Sequence, residues 1–267
     1  MVIAYAREHL GGTVRSRQGL ERDLDLRCLG FLPPLQQRWR RKPLRFWLRQ
    51  PTQRGILLAG EKDPSCAGEA LIGLRLALDA LRDPSSGAVS IGITSAHSGE
   101  GKTTLAFNLA KSMADAGTRV LLVDADLHGL SLTRELAPQS NRGLPEAHRG
   151  TFSLADVEPV PALGFPVLAQ PLDRVPRRPD VLSSRQMREM LDAARSKFDY
   201  VVLDLPAVLE HVDACAAAIH LDFFVLVAEW GRTKIADLEA VSARCDQITE
   251  RVVGTFVNKV PRGSGWY

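Results

Sequence analysis

The chain has 267 residues, 45% of them hydrophobic and 24% charged. That is an ordinary make-up for a globular protein, and the length suits one large domain with an appendage. No window reaches the ~18 uninterrupted apolar residues of a membrane helix, and charges scattered through the N-terminal stretch argue against a secretory signal. The net charge of +3 hides an asymmetry. Residues 1–60 hold 12 Lys/Arg and 4 Asp/Glu, a balance of +8, which leaves 22 and 27, a balance of −5, for residues 61–267. A basic head on a mildly acidic body points to an anionic partner for the head. Cys28, Cys66, Cys215 and Cys245 lack metal-type spacing and read as reduced thiols of a cytosolic protein.

In chain order, residues 1–32 predict a helix and then a short αβ segment ending in LRCLGFLPPL. No acidic residue lies between Asp25 and Glu61. Within that gap, seven basic residues alternate with Trp39, Phe46 and Trp47 over 36–54. This mixture suits either a solvated linker or an anionic membrane surface, where each basic residue adds ~1 kcal/mol. Nothing else in the chain supports nucleic-acid binding. Residues 68–82 show helical spacing through Leu71, Leu74, Leu78 and Leu81. Apolar strands are expected at 88–94, 119–126, 166–170, 199–206, 221–228 and 252–260. Helices are expected at 101–116, 183–197 and 233–249, and the Pro/Gly-rich 137–165 reads as a mobile loop with a short helix. Strands apolar on both sides and alternating with helices indicate an α/β fold, with a mostly parallel sheet covered by helices on both faces. The expected organisation is a basic head and linker (1–60), one nucleotide-binding domain (61–262) and a short tail (263–267).

The run AHSGEGKTT (96–104) follows a strand and opens a helix. Such a turn directs backbone N–H groups at phosphate, with the helix N-terminus behind them. Gly99 and Gly101 permit close backbone approach. Ser98, Glu100 and Thr104 complete the loop, Lys102 reaches the β- and γ-phosphates, and Thr103 offers its hydroxyl to Mg²⁺. Ala96 stands where the motif has its first glycine. In VLLVDAD (120–126), Asp124 and Asp126 lie two residues apart, on one side of a strand end that faces the ligand crevice. They can hold Mg²⁺ through water or take a proton. Asp204 ends the buried strand DYVVLD and suits Mg²⁺ coordination. Asn258 and Lys259 end the last strand, either beside the base or as ordinary edge polarity. His97 lies inside the loop and His128 close to the site, but the six histidines show no metal or nucleophile signature.

These elements, in this order, resemble the bacterial tyrosine kinases of polysaccharide export, phosphate-loop proteins of the MinD/ParA-like superfamily. The resemblance runs through EALIGLRLAL, TSAHSGEGKTTLAFNLAKSMADAGTRVLLVDADLH, RRPDVLSS, FDYVVLDLPAV and GTFVNKV. The opening stretch looks like the one after the second membrane helix of the polysaccharide co-polymerases, so the chain is expected to be the cytoplasmic half of such a protein. The resemblance implies an ATP- and Mg²⁺-dependent tyrosine autokinase at the inner face of the cell membrane. Its partner would be a membrane co-polymerase or transmembrane activator, and a homo-oligomer is possible. Lys102 and Thr103 would hold phosphates and metal, Asp124 and Asp204 would lie on the metal side, and Asp126 would be the base. His128 replaces the family's usual arginine. The assembly motif E-x-x-R-x-x-R reads Glu69, Ile72, Arg75. Of three tyrosines (Tyr5, Tyr200, Tyr267), only Tyr267 is a natural tail acceptor. The competing readings are a non-enzymatic ATP-binding module of a co-polymerase and a MinD/ParA-like ATPase.

Overall fold

The structure, a computed structural model, describes residues 12–34, 66–83, 87–141, 143–149, 157, 159–160, 163–172 and 179–264. Among them are eight strands: β1 (Cys28–Phe31), β2 (Val89–Ser95), β3 (Val120–Asp124), β4 (Pro159–Val160), β5 (Phe165–Leu168), β6 (Tyr200–Asp204), β7 (Phe223–Glu229) and β8 (Val252–Asn258). The helices are α1 (Arg17–Leu24), α2 (Cys66–Asp79), α3 (Lys102–Asp115), α4 (Ser131–Leu136), α5 (Leu144–His148), α6 (Arg185–Arg195), α7 (Asp213–Ala218), α8 (Ile235–Arg244) and α9 (Asp246–Arg251). One sheet runs in the order β1-β8-β7-β2-β6-β3-β5-β4. Only the β4–β5 pairing is antiparallel. The expected α/β architecture with a mostly parallel sheet is therefore present. The basic segment around 38–54, Tyr5 and Tyr267 lie outside the described residues.

Strand alternation divides the core in two. Leu122, Val202 and Val225 pack with Leu71, Leu74 and Leu78 of α2 and with Leu105, Leu109 and Met113 of α3. Leu121, Val123, Val201 and Leu203 face the other way, onto Met187, Leu191, Ala214, Leu238 and Ile248 of the later helices. Since side chains alternate along a strand, both faces must be apolar and both must be covered. The same parity places Asp124 and Asp204 on the α3 side. β2 has β6 on one side and β7 on the other. The chain thus winds both ways from β2, and the crevice beyond the parallel strand ends is the usual ligand position.

Residues 12–34 join the same fold: β1 pairs with β8, and Val14 and Leu20 are buried. Leu81 departs from the expected stripe, because it lies beyond the end of α2 and is 47% exposed. The helix expected over 233–249 is two helices, α8 and α9, broken at Cys245 in extended backbone (φ −147°, ψ 91°). Leu238, Val241, Cys245 and Ile248, all buried, keep helical spacing across the break, so periodicity carries no sign of it. The segment 137–165 contains α5 and β4 among its described residues. Helices α4 and α7, six residues each, are too short to show a period.

Candidate nucleotide site

The phosphate loop leaves β2 and turns into α3 through Gly101, at φ +107°. A Cβ on Gly101 would lie 1.8 Å from Asn258 Nδ2, so only glycine fits. Gly99 is also left-handed, at φ +83°. No side chain caps the first turn of α3, leaving its N–H groups directed at the crevice. Lys102, the first residue of α3, is buried, Ser98 is exposed, and Thr103 and Thr104 are partly buried.

Neighbouring strand ends hold the loop. Asn258 Nδ2 donates to the Glu100 carbonyl at 2.8 Å. Lys259 Nζ donates to the Gly99 carbonyl and pairs with Glu229, both at 2.9 Å. The Glu100 carboxylate, 1% exposed, accepts the His97 N–H at 2.8 Å and the Thr233 hydroxyl. Asn258 therefore braces the loop from behind. On the open side, Ser98 donates its N–H (2.7 Å) and its hydroxyl (2.6 Å) to Glu210. Those bonds hold the Glu210 carboxyl below its usual range. The His97 ring lies 3.5 Å from Asp237 and 3.8 Å from Glu210.

Asp124 and Asp204 stand opposite one another in the β3–β6 register, and both are fully buried. Asp124 Oδ2 accepts the Thr133 N–H at 2.8 Å and its hydroxyl at 2.6 Å. Among the described residues, Asp124 Oδ1 and both oxygens of Asp204 lack a hydrogen-bond partner in good geometry. Burial pushes the Asp124 carboxyl up to about 6, against the opposing pull of Thr133. Burial, then the charge of Asp124, pushes Asp204 well up, while the nearby Thr103 hydroxyl and Lys102 ammonium pull it down. Buried unpaired carboxylate oxygens are costly and call for a cation. Asp126 is only partly buried, and its Oδ1 accepts the N–H groups of His128 (3.2 Å) and Gly129 (2.8 Å). This bond pair orients the carboxylate, whose charge is felt by both Asp124 and Asp204.

The fold thus gathers Ser98 to Thr104, Asp124, Asp126, Asp204 and Asn258 around the C-terminal ends of the parallel strands. His128, His211 and Asp213 converge from the turn after β3 and the start of α7, although their sequence spacing shows no metal signature. Sequence reasoning also missed Thr133, Glu210, Thr233 and Lys259 as supports. Only Lys259, next to Asn258 at a strand end, carried any signal.

A family model described as the CobQ/CobB/MinD/ParA nucleotide binding domain matches residues 91–264. The chain belongs to the CobQ/CobB/MinD/ParA nucleotide-binding family. Its relatives include bacterial proteins named tyrosine-protein kinases. It is 32% identical over 182 residues to the tyrosine-protein kinase CpsD of Streptococcus agalactiae, covering 66% of this chain and 78% of the relative. It is 30% identical to the succinoglycan biosynthesis transport protein ExoP of Rhizobium meliloti, covering 92% of this chain but 34% of ExoP. The kinase domain of the Escherichia coli tyrosine kinase ETK superposes with a TM-score of 0.76 at 25% identity, covering 91% of this chain and 94% of that domain. Among the described residues of this family member, no helix is long and apolar enough to cross a membrane.

Proposed function

We propose that this chain is an ATP- and Mg²⁺-dependent protein-tyrosine kinase that regulates exopolysaccharide synthesis and export. The carrying observation is the pair Asp124–Asp204, buried together against Lys102 with unpartnered oxygens. That arrangement fits a hard cation held by oxygen ligands beside a phosphate. When bound, Mg²⁺ would neutralise phosphate charge as phosphoryl transfer proceeds.

The chain's own groups divide the remaining work. Backbone N–H groups of the loop and of the α3 N-terminus cradle the phosphates. Lys102 brings its ammonium to the β- and γ-phosphates and offsets charge that develops on the transferred group. Thr103, Asp124 and Asp204 hold the cation side. Asp126, outside the buried pair and oriented by two N–H groups, accepts the tyrosine hydroxyl proton. As the tyrosine oxygen bonds to the γ-phosphorus, the bond from that phosphorus to the β–γ bridging oxygen breaks and ADP leaves. Tyr267 is the candidate acceptor. Tyr200 is excluded by its burial and its 2.7 Å bond to Asp79. The CpsD and ExoP relatives support tyrosine as acceptor and polysaccharide export as context. The basic stretch near 38–54 supports a place at the inner face of the cell membrane, beside a membrane co-polymerase.

The test is incubation with γ-labelled ATP and Mg²⁺, alone and with a membrane fraction, for wild type, Lys102→Met and Asp126→Asn. Label on Tyr267 that disappears in both variants is expected. ATP binding with neither label nor hydrolysis would leave a non-enzymatic regulatory module. Sustained hydrolysis without protein label would indicate a MinD/ParA-like ATPase.

A further inference from the structure

His128 follows β3, whereas His211 and Asp213 lie where the chain leaves β6 and enters α7. One ligand atom from each of these three side chains lies within 4.8 Å of the others. We propose that His128, His211 and Asp213 bind a borderline divalent transition-metal ion such as Zn²⁺, at a site separate from the Asp124–Asp204 pair.

Four observations carry this. First, His128 Nε2 lies 3.1 Å from Asp213 Oδ2, so a nitrogen and an oxygen donor already meet. Second, Asp213 is 2% exposed, and among the described residues its Oδ1 has no partner. A buried carboxylate oxygen left unpaired is costly, and a cation relieves that cost. Third, the His128 and His211 rings stack at 3.7 Å between centroids and 10° between planes. That places both imidazoles, side chains of a common metal-ligand type, side by side next to the Asp213 carboxylate. Fourth, the donor set is chemically selective. Two imidazoles and one carboxylate suit Zn²⁺, Co²⁺ or Ni²⁺, whereas Mg²⁺ prefers oxygen ligands alone. Three protein ligands leave a position for water.

Ligation requires the nearly parallel rings to tilt until their lone pairs converge. Both rings are only partly buried, which leaves room for that motion. The ion would tie the loop after β3 to the loop after β6. Glu210, adjacent to His211, holds Ser98 of the phosphate loop, so occupancy would also steady the nucleotide crevice.

The full chain, stripped with chelator and free of nucleotide and Mg²⁺, is titrated with Co²⁺ and followed by visible absorption. Zn²⁺ is titrated against a chromogenic chelator. One equivalent of either ion is expected, with imidazole ligation in the Co²⁺ spectrum. A hundredfold excess of Zn²⁺ over its Kd should raise Tm by about 5–10 °C. His128→Ala, His211→Asn and Asp213→Asn should each weaken Zn²⁺ binding at least about tenfold, the loss that even a change behind a metal ligand produces. Lys102→Met should leave Zn²⁺ binding intact while removing nucleotide binding, which separates this site from the kinase reading. His211→Asn, at a partly buried position outside the helices and strands, decides the matter if the other variants fail to fold. Absence of stoichiometric binding in the wild type, or unchanged binding in a folded His211→Asn variant, overturns the proposal.

Discussion

Asp124→Asn should stabilise the nucleotide-free protein while disabling the proposed cation site. Burial raises the folded-state pKa of Asp124 from 3.8 to about 6. In the folded chain the carboxyl therefore holds its proton up to about pH 6, whereas in the unfolded chain it releases it near pH 4. Below pH 4 the group is neutral in both states and carries no penalty. As pH rises through this window the folded state loses stability relative to the unfolded one, reaching about 3 kcal/mol above pH 6. An asparagine escapes that penalty. Its amide oxygen can accept both Thr133 bonds, with its NH₂ in the place of the unpartnered Oδ1. Urea denaturation in EDTA should show the variant more stable by about 3 kcal/mol at pH 8, or about 6–12 °C in Tm. The advantage should shrink towards zero near pH 4. Adding Mg²⁺ and ATP should reverse the ranking, because only the wild type gains from the ligand. Equal stability at pH 8, or an advantage of constant size from pH 4 to 8, would refute the reasoning.

Gly101→Ala forces a side chain into φ +107° and onto Asn258. It should cost at least about 1–2 kcal/mol of stability and abolish nucleotide binding in calorimetric titration. Tyr200→Phe removes the bond to Asp79 and should lower stability by about 1–2 kcal/mol. Its extent of phosphorylation should match the wild type, as read by label incorporation. Binding of the chain to anionic vesicles should weaken as salt rises, if the basic segment near 38–54 docks on headgroups. No binding at low salt in a sedimentation assay would remove that role.

The sheet and its central strands were legible in the sequence because β2, β3, β6, β7 and β8 are short, predominantly apolar runs, most of them separated by helical periods. The phosphate loop was legible for a different reason. Glycines, a lysine and a threonine at fixed spacing follow from the geometry of backbone N–H groups around phosphate. Strand parity further implied that Asp124 and Asp126 share a side, yet the two have different surroundings. Asp124 ends β3 inside the core, while Asp126 has left the strand and is held by the turn at Gly129. The supports Glu210, Thr233 and Thr133 had no local signal. Each is an ordinary polar residue whose partner lies far away in sequence or is fixed by a short turn.

The sequence by itself determined that a nucleotide-type phosphate loop sits on a parallel α/β sheet, because hydrophobic period and backbone geometry are local properties. The tertiary structure alone decided three further things. It placed Asp124 beside Asp204 across two strands 80 residues apart in sequence, creating a buried carboxyl pair with oxygens that lack partners among the described residues. It turned Asn258 and Lys259 into braces behind the loop, because β8 ends level with it. It also stacked His211 on His128 over Asp213. All three depend on which strand ends become neighbours, and that is settled by how the sheet is wound.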